Sequence, residues 1–387
     1  MKTLQQSPTD PAFVQNPYPF YDRARDQGDL FWWAEYEMPA AAGHATVHAL
    51  LRHPDLGREM PEDLRAPIPP ELQPFYDVEA HSMLELEPPR HTRLRRLVLH
   101  AFTSRRIKEL APEIEALCHD LIDGFPSEPF DLLEAYAQKV PVIVIARLLG
   151  VPESMADQLL IWSNAMVTMY QARRTKADEA AAVHATTEFV DFIRTHAEAV
   201  RHQPDDTLIS HLLRAEEDGE RLTMDELITT CILLLNAGHE ATVHTLGNGV
   251  KAYLETGPSP ITDDAVEEVL RYDPPLHLFT RIAQKDVTLY DHDFKRGDQV
   301  ACLLAAANRD PAAYPNPDMF DPTRPAGKTA SFGAGIHFCI GAPLARLELK
   351  IALDVLFTRC PTLQLADTPR YANLYHFHGL ERLFVRA

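Results

Sequence analysis

Residues 331–348 read Ser331-Phe332-Gly333-Ala334-Gly335-Ile336-His337-Phe338-Cys339-Ile340-Gly341-Ala342-Pro343-Leu344-Ala345-Arg346-Leu347-Glu348, and the rest of the chain is read outward from them. Gly333, Gly335 and Gly341 crowd around Cys339, permitting left-handed turns and a close approach of backbone to a large flat object. A helical pattern begins directly after the cysteine, and Pro343 suits its first turn, where the missing N–H is not needed. Cys339 therefore stands just ahead of a helix N-terminus, where free N–H groups and the positive end of the dipole favour a thiolate over a thiol. A thiolate held in this way is a metal ligand. Two other readings compete. A glycine-rich loop opening a helix can cradle phosphate, but the spacing is neither the dinucleotide fingerprint nor a P-loop, and the P-loop lysine is absent. A lone cysteine is also often mere packing.

With 387 residues, 45% of them hydrophobic, the chain can bury a sizeable core. Its charge, 37 minus 56 or -19, argues against nucleic acid and anionic membrane surfaces as partners. The stretch Met1–Pro8 has no signal-peptide core, and no later run nears the roughly 20 apolar residues of a membrane helix. A soluble, cytoplasmic protein without membrane insertion is expected. Cys118, Cys231, Cys302, Cys339 and Cys360 are odd in number and widely spaced, with no Cys-x-x-Cys pair, and only Cys339 has a chemical context.

In chain order, Leu30–Trp33 and His44–Val47 read as strand-like runs, and the proline-rich passage from Pro61 to Pro74 as a loop. Pro88 and Pro89 punctuate the start of a helix that places His91 and Arg95 one turn apart on the same face. Arg93, Arg96, Arg105, Arg106 and Lys108 add a local basic patch. Residues 107–220 look mainly helical, with Met166, Met169 and Tyr170 at helical spacing, and Ala215–Arg221 reads as a charged surface loop. Thr223 and Glu226 fit a capping box opening a helix that runs to Glu255, about 50 Å at 1.5 Å per residue. In its middle, Ala237, Gly238 and Ala241 leave one face open to a flat ligand, while Glu240 is a carboxylate in an apolar stretch. Glu268 and Arg271 share a helix face, and the proline-rich passage after Asn308 excludes helix and central strand.

The string around Cys339 resembles the haem-ligand loop of the cytochrome P-450 family, the haem-thiolate monooxygenases. Their pattern Phe-Gly-x-Gly-x-His-x-Cys-x-Gly is matched at Phe332, Gly333, Gly335, His337, Cys339 and Gly341. The resemblance covers nearly the whole chain and implies a cytochrome P-450 fold, mainly α with small antiparallel β-sheets, as one domain over residues 1–387. It implies haem b ligated by Cys339 and propionates held by His91, Arg95, Arg281 and His337. Ala237 and Gly238 belong to the distal helix of the family pattern Ala-Gly-x-Glu/Asp-Thr, in which Glu240 and Thr242 are proton-delivery candidates. Ala241 stands where that pattern has threonine. Glu268, Arg271 and Arg324 match the family's structural triad, residues 308–324 its irregular meander, and residues 375–380 its last pocket-lining hairpin. Met83, Leu84, Met166, Leu276, Phe279 and Phe377 are the substrate-pocket candidates, and their character suggests a medium-sized, largely apolar molecule.

The function implied is insertion of one oxygen atom from O2 into a medium-sized, largely apolar molecule, by hydroxylation or oxidative dealkylation. Thiolate donation to iron favours O–O cleavage. A single domain leaves no room for a reductase, so electrons from NAD(P)H must arrive through a ferredoxin or flavodoxin with its reductase. The basic patch near His91 is a candidate surface for an acidic carrier. A redox-neutral haem-thiolate isomerase or dehydratase and a haem-based gas sensor are the alternatives.

Overall fold

The computed structural model describes residues 1–171, 174–217, 219–375 and 377–387, and its fold is mainly α with small β-sheets. The chain forms two compact units. One comprises Met1–Arg65, Glu113–Ala137 and Ala241–Ala387, and the other Ala66–Pro112 and Gln138–Glu240.

In the first unit, the largest sheet has six strands in the order Lys2–Leu4, Phe31–Trp33, Met38–Ala41, Gln299–Leu303, Leu278–Ala283 and Leu56–Gly57. It is mixed rather than wholly antiparallel: the first two strands pair in parallel, as do Gln299–Leu303 and Met38–Ala41. Val300 to Leu303 are all buried, as a central strand covered on both faces requires. On one side, Phe13, Phe20, Phe31, Trp33 and Tyr375 form an aromatic cluster. Phe13 meets Phe20 edge to face at 5.6 Å, the arrangement that ring quadrupoles favour.

His44–Val47 is not a strand. It opens the helix His44–Arg52, whose Val47, Leu50 and Leu51 are buried at helical spacing. Four residues are too few to separate period 2 from period 3.6, and only the continuation to Arg52 decides. Residues 61–74 contain the short 3-10 turns Glu62–Leu64 and Pro70–Leu72 before a helix opens at Gln73.

The second unit is helical. Its elements include Gln73–Glu79, Arg90–Ala101, Lys139–Leu149, Ala156–Val167, Lys176–His202 and Leu208–Arg214. Trp162 stacks on Phe189 at 5.1 Å and donates through Nε1 to Glu188, fastening Ala156–Val167 to Lys176–His202. Gly150 ends Lys139–Leu149 at φ +83, and a Cβ there would fall 2.3 Å from the Thr207 methyl, so both conformation and space demand glycine. The supposed loop Ala215–Arg221 contains a minimal hairpin, Glu216–Glu217 with Glu220–Arg221, and Asp218 lies outside the described residues.

The 33-residue helix Met224–Thr256 is capped as its sequence predicts. The Thr223 hydroxyl accepts from the Glu226 N–H at 3.2 Å, and the Thr223 N–H donates to the Glu226 carboxylate at 2.9 Å. The boundary between the units falls within this helix, between Glu240 and Ala241. Among the described residues, no helix is long and apolar enough to cross a membrane.

Candidate active site

The Cys339 loop is fixed by its own backbone. The Cys339 N–H donates to the Phe332 carbonyl at 3.0 Å, the Gly333 N–H to Ala330 at 2.8 Å and the Phe338 N–H to Gly335 at 3.1 Å. Gly333 and Gly335 are left-handed, at φ +67 and +76, whereas Gly341 is right-handed and N-caps the helix Ala342–Arg359. The left-handed freedom expected of three glycines is thus used at two. At Gly335 the close approach is to protein: a Cβ would lie 2.8 Å from the Leu51 carbonyl oxygen. At Gly341 a Cβ would sit 3.8 Å from Cys339 Sγ, so the missing side chain leaves the sulfur clear. Phe332 is covered by the Arg346 guanidinium at 4.6 Å, and Arg346 also pairs with Glu267 on the helix Asp263–Tyr272.

The five cysteines divide by burial. Cys118, Cys231, Cys302 and Cys360 are buried, and Cys339 is half-buried. Burial pushes the Cys118 thiol up to about 11 and those of Cys231 and Cys302 to about 12, values that keep them protonated and inert.

The same unit holds Arg281, His337, Leu276, Phe279, Phe377 and the carboxyl-terminal half of the long helix. Arg281 is buried in the strand Leu278–Ala283 and donates to the Thr280 carbonyl at 3.1 Å. His337 closes the 3-10 turn Gly335–His337. Leu276 and Phe377 pair as an antiparallel bridge, and Arg58 lies over the Phe279 ring at 5.2 Å. Within the expected hairpin 375–380, His376 lies outside the described residues. Thr242 is buried, and the Thr245 hydroxyl donates to the Ala241 carbonyl at 2.7 Å.

In the second unit, His91 is buried on the helix Arg90–Ala101, which also carries Arg95. Met83 and Met166 are buried, Leu84 is half-buried, and the Asn236 amide approaches the Met166 sulfur at 3.8 Å. Gly238 borders open space, with no atom within 4 Å of where a Cβ would be. Glu240 keeps 20% side-chain exposure, its Oε2 lying 3.9 Å from Nδ1 of buried His239. The basic patch is largely neutralised within the unit. Arg93 pairs with Glu226 and Glu220, Arg105 with Glu109, and Arg106 with Asp206.

Glu268, Arg271 and Arg324 meet as a closed group. Arg271 Nε and Nη2 donate to the two Glu268 oxygens at 2.7 and 2.8 Å, and Arg324 Nε donates to Oε2 at 3.1 Å. The Asp321 N–H fills the remaining acceptor position on Oε1 at 2.8 Å. Sequence reasoning missed Asn308, which is fully buried. Its carbonyl accepts from Arg271 at 3.0 Å, its Oδ1 accepts from the Ala330 N–H and its Nδ2 donates to the Ser331 hydroxyl, each at 2.7 Å. An asparagine between an alanine run and an arginine carries no periodicity that would have marked it.

Comparison with known proteins gives the family. The family described as Cytochrome P450 matches residues 65–254 and 258–369. The Vitamin D(3) 25-hydroxylase of Pseudonocardia autotrophica is 39% identical over 395 residues, covering 97% of this chain and 94% of that protein. The cytochrome P450 monooxygenase PikC of Streptomyces venezuelae is 36% identical over 403 residues, with 97% and 92% covered. Among solved structures, P450BioI in complex with hexadec-9Z-enoic acid ligated acyl carrier protein matches at a TM-score of 0.90 and 33% identity, covering 97% of this chain and 99% of that one. A chain on this fold with these relatives is a haem-thiolate oxidoreductase. The chain belongs to the cytochrome P450 family and is a monooxygenase of that family.

Its residues fit the cofactor that the family implies. Within the first unit, the half-buried sulfur is kept clear by Gly341. In the same unit, buried Arg281 is a donor of the kind that a propionate needs.

Proposed function

We propose that this P450 hydroxylates or oxidatively dealkylates a medium-sized, largely apolar small molecule. Its electrons come from NAD(P)H through a ferredoxin or flavodoxin and its reductase, in the cytoplasm. The Cys339 loop carries the reading: four cysteines are buried, and the fifth is presented on a hydrogen-bonded turn. When bound, haem supplies the dioxygen chemistry, and a thiolate ligand favours O–O cleavage.

The protein's own residues bind, orient and move protons. Cys339 Sγ would bind the haem iron, and Phe332, Gly333, Gly341, Ala237 and Gly238 would make room for the ring. His91, Arg95, Arg281 and His337 would hold the propionates by charge-assisted hydrogen bonds. Glu240 passes protons from its partly exposed carboxylate, with Thr242 as the nearby hydroxyl and Ala241 leaving the family's usual alcohol position empty. Met83, Leu84, Met166, Leu276, Phe279 and Phe377 line the substrate pocket. The names of two relatives, one a vitamin D(3) hydroxylase and one a complex with a fatty-acyl carrier protein, accord with an apolar substrate.

Reconstitution with a ferredoxin and ferredoxin reductase, against a panel of secosteroids, steroids and fatty acids, tests the reading. Oxygenated product formed in proportion to NADH and O2 consumed supports it. Product formed without consumption of either identifies an isomerase, and ligand binding without turnover identifies a sensor.

A further inference from the structure

Away from Cys339, three side chains converge inside the first unit. Asp273 follows the helix Asp263–Tyr272, His277 immediately precedes the strand Leu278–Ala283, and His378 lies two residues before the strand Leu380–Arg382. All three are buried, at 6%, 0% and 1% exposure for Asp273, His277 and His378. One donor atom from each lies within 4.8 Å of the others. His378 Nε2 is 3.5 Å from Asp273 Oδ1, and the two imidazole centres are 4.4 Å apart. The backbone holds them there: the His378 N–H donates to the Pro275 carbonyl at 2.7 Å, and the Leu304 N–H donates to the His277 carbonyl at 2.9 Å.

The imidazoles are poorly satisfied by the fold. His277 Nε2 is buried without a hydrogen-bond partner, which is costly for a polar atom. His378 Nε2 has only the long 3.5 Å approach to Asp273. The atoms behind the group are, by contrast, well supported. Tyr21 Oη lies 2.7 Å from His277 Nδ1 and 2.9 Å from Tyr375 Oη. The Tyr18 and Tyr371 hydroxyls donate to the two Asp273 oxygens at 2.6 and 2.5 Å. One ring nitrogen without a partner and its opposite nitrogen hydrogen-bonded, as in His277, is the arrangement of a metal ligand with its outer support. Of the nearby cations, Arg309 shares the Asp273 charge with Asp318, which lies 3.5 Å away, and Lys251 pairs with Glu255 at 2.9 Å.

We propose that Asp273, His277 and His378 form a divalent-metal site of the zinc class, which ties the carboxyl-terminal hairpin to the segment entering Leu278–Ala283. Two imidazoles and one carboxylate are a donor set that zinc accepts, with an open position for a fourth ligand. Zinc bonds of about 2.0–2.2 Å place ligand atoms roughly 3.3–3.5 Å apart. The separation of His378 Nε2 from Asp273 Oδ1 already matches, and His277 closes in on binding.

The test uses the full-length holoenzyme, stripped with EDTA, reloaded with ZnCl2, passed through gel filtration and analysed for zinc and iron. About one zinc per chain beyond the haem iron is expected. His277→Gln and His378→Gln should each lower retained zinc at least about tenfold, and Tyr21→Phe should weaken affinity about 10–100-fold with haem content unchanged. Wild type that retains no more zinc than the His277→Gln/His378→Gln double variant overturns the proposal, and a buried water at His277 Nε2 then explains its free nitrogen. Where the variants do not fold, X-ray absorption at the zinc edge of wild type decides. Two imidazoles with a carboxylate support the site, and sulfur or water ligands alone overturn it.

Discussion

Replacing Glu268 with alanine removes the centre of a network whose bonds can be counted. The carboxylate accepts twice from Arg271, once from Arg324 and once from the Asp321 N–H. Arg271 spends its other N–H groups on the carbonyls of Asn308 at 3.0 Å, Pro317 at 2.8 Å and Met319 at 3.2 Å. Both Glu268 and Arg271 have side chains only 1% exposed, so water cannot replace the lost acceptor. Charge-assisted bonds contribute about 1.5–3 kcal/mol each, but desolvation of the ions offsets much of that sum. The net cost of leaving the guanidinium buried and unpaired is about 3–5 kcal/mol, against a whole-domain stability of about 5–15 kcal/mol. Glu268→Ala should therefore yield little folded protein and a much reduced carbon monoxide difference spectrum. Glu268→Gln, which keeps shape and one acceptor, should fall between it and wild type. The assay is chemical unfolding followed by circular dichroism, alongside haem content per chain. A Glu268→Ala protein that unfolds at the wild-type denaturant midpoint and loses only turnover would refute the reasoning.

Cys339→Ala should abolish the thiolate carbon monoxide spectrum and monooxygenation together, and an active variant with an unchanged spectrum would remove Cys339 from the ligand role. Burial alone holds the Glu348 carboxyl well above the usual carboxylate range. Its contribution is fully present below the unfolded value near 4.5 and is lost as pH rises through the folded value. Glu348→Gln should thus raise the melting temperature at about pH 8 and leave it unchanged at about pH 4, and equal effects at both would contradict a neutral buried acid. Ala241→Thr should improve product formed per NADH most for substrates lacking a polar group. If Thr242→Ala alone collapses coupling while Ala241→Thr changes nothing, Thr242 supplies the alcohol function.

The cysteine loop, the capped long helix and the Glu-x-x-Arg pair are legible in the sequence because each is a local pattern with a local cause. Thr223 and Glu226 satisfy each other's backbone within one turn, so a few residues suffice to place the helix start. His44–Val47 reads as a strand because so short a run cannot fix a period, and the helix declares itself only through Leu50 and Leu51. Gly335 reads as room for a flat ligand, yet its space is taken by the Leu51 carbonyl, a partner so remote in the chain that no local pattern reveals it. The basic patch is visible as composition, but its charge is cancelled by Asp206, Glu220 and Glu226, which are distant in sequence. The sheet's parallel pairings likewise join segments too far apart for hairpin signals to report.

The placement of Cys339 is inherited from the triad through Asn308. Glu268 fixes Arg271, Arg271 fixes the Asn308 carbonyl, and the Asn308 side chain grips Ala330 and Ser331 at the start of the cysteine loop. Ser331 in turn donates to the Leu270 carbonyl at 2.6 Å, closing the circuit on the helix that carries Glu268 and Arg271. Every link is a directional bond in a buried or part-buried setting, where a displaced partner leaves an unsatisfied polar group, so the loop has little freedom to drift. A metal ligand has to be held to within about 0.5 Å by neighbours whose own positions are locked. The ion triad thus serves the Cys339 loop without touching the cysteine: it sets the position from which the sulfur is presented.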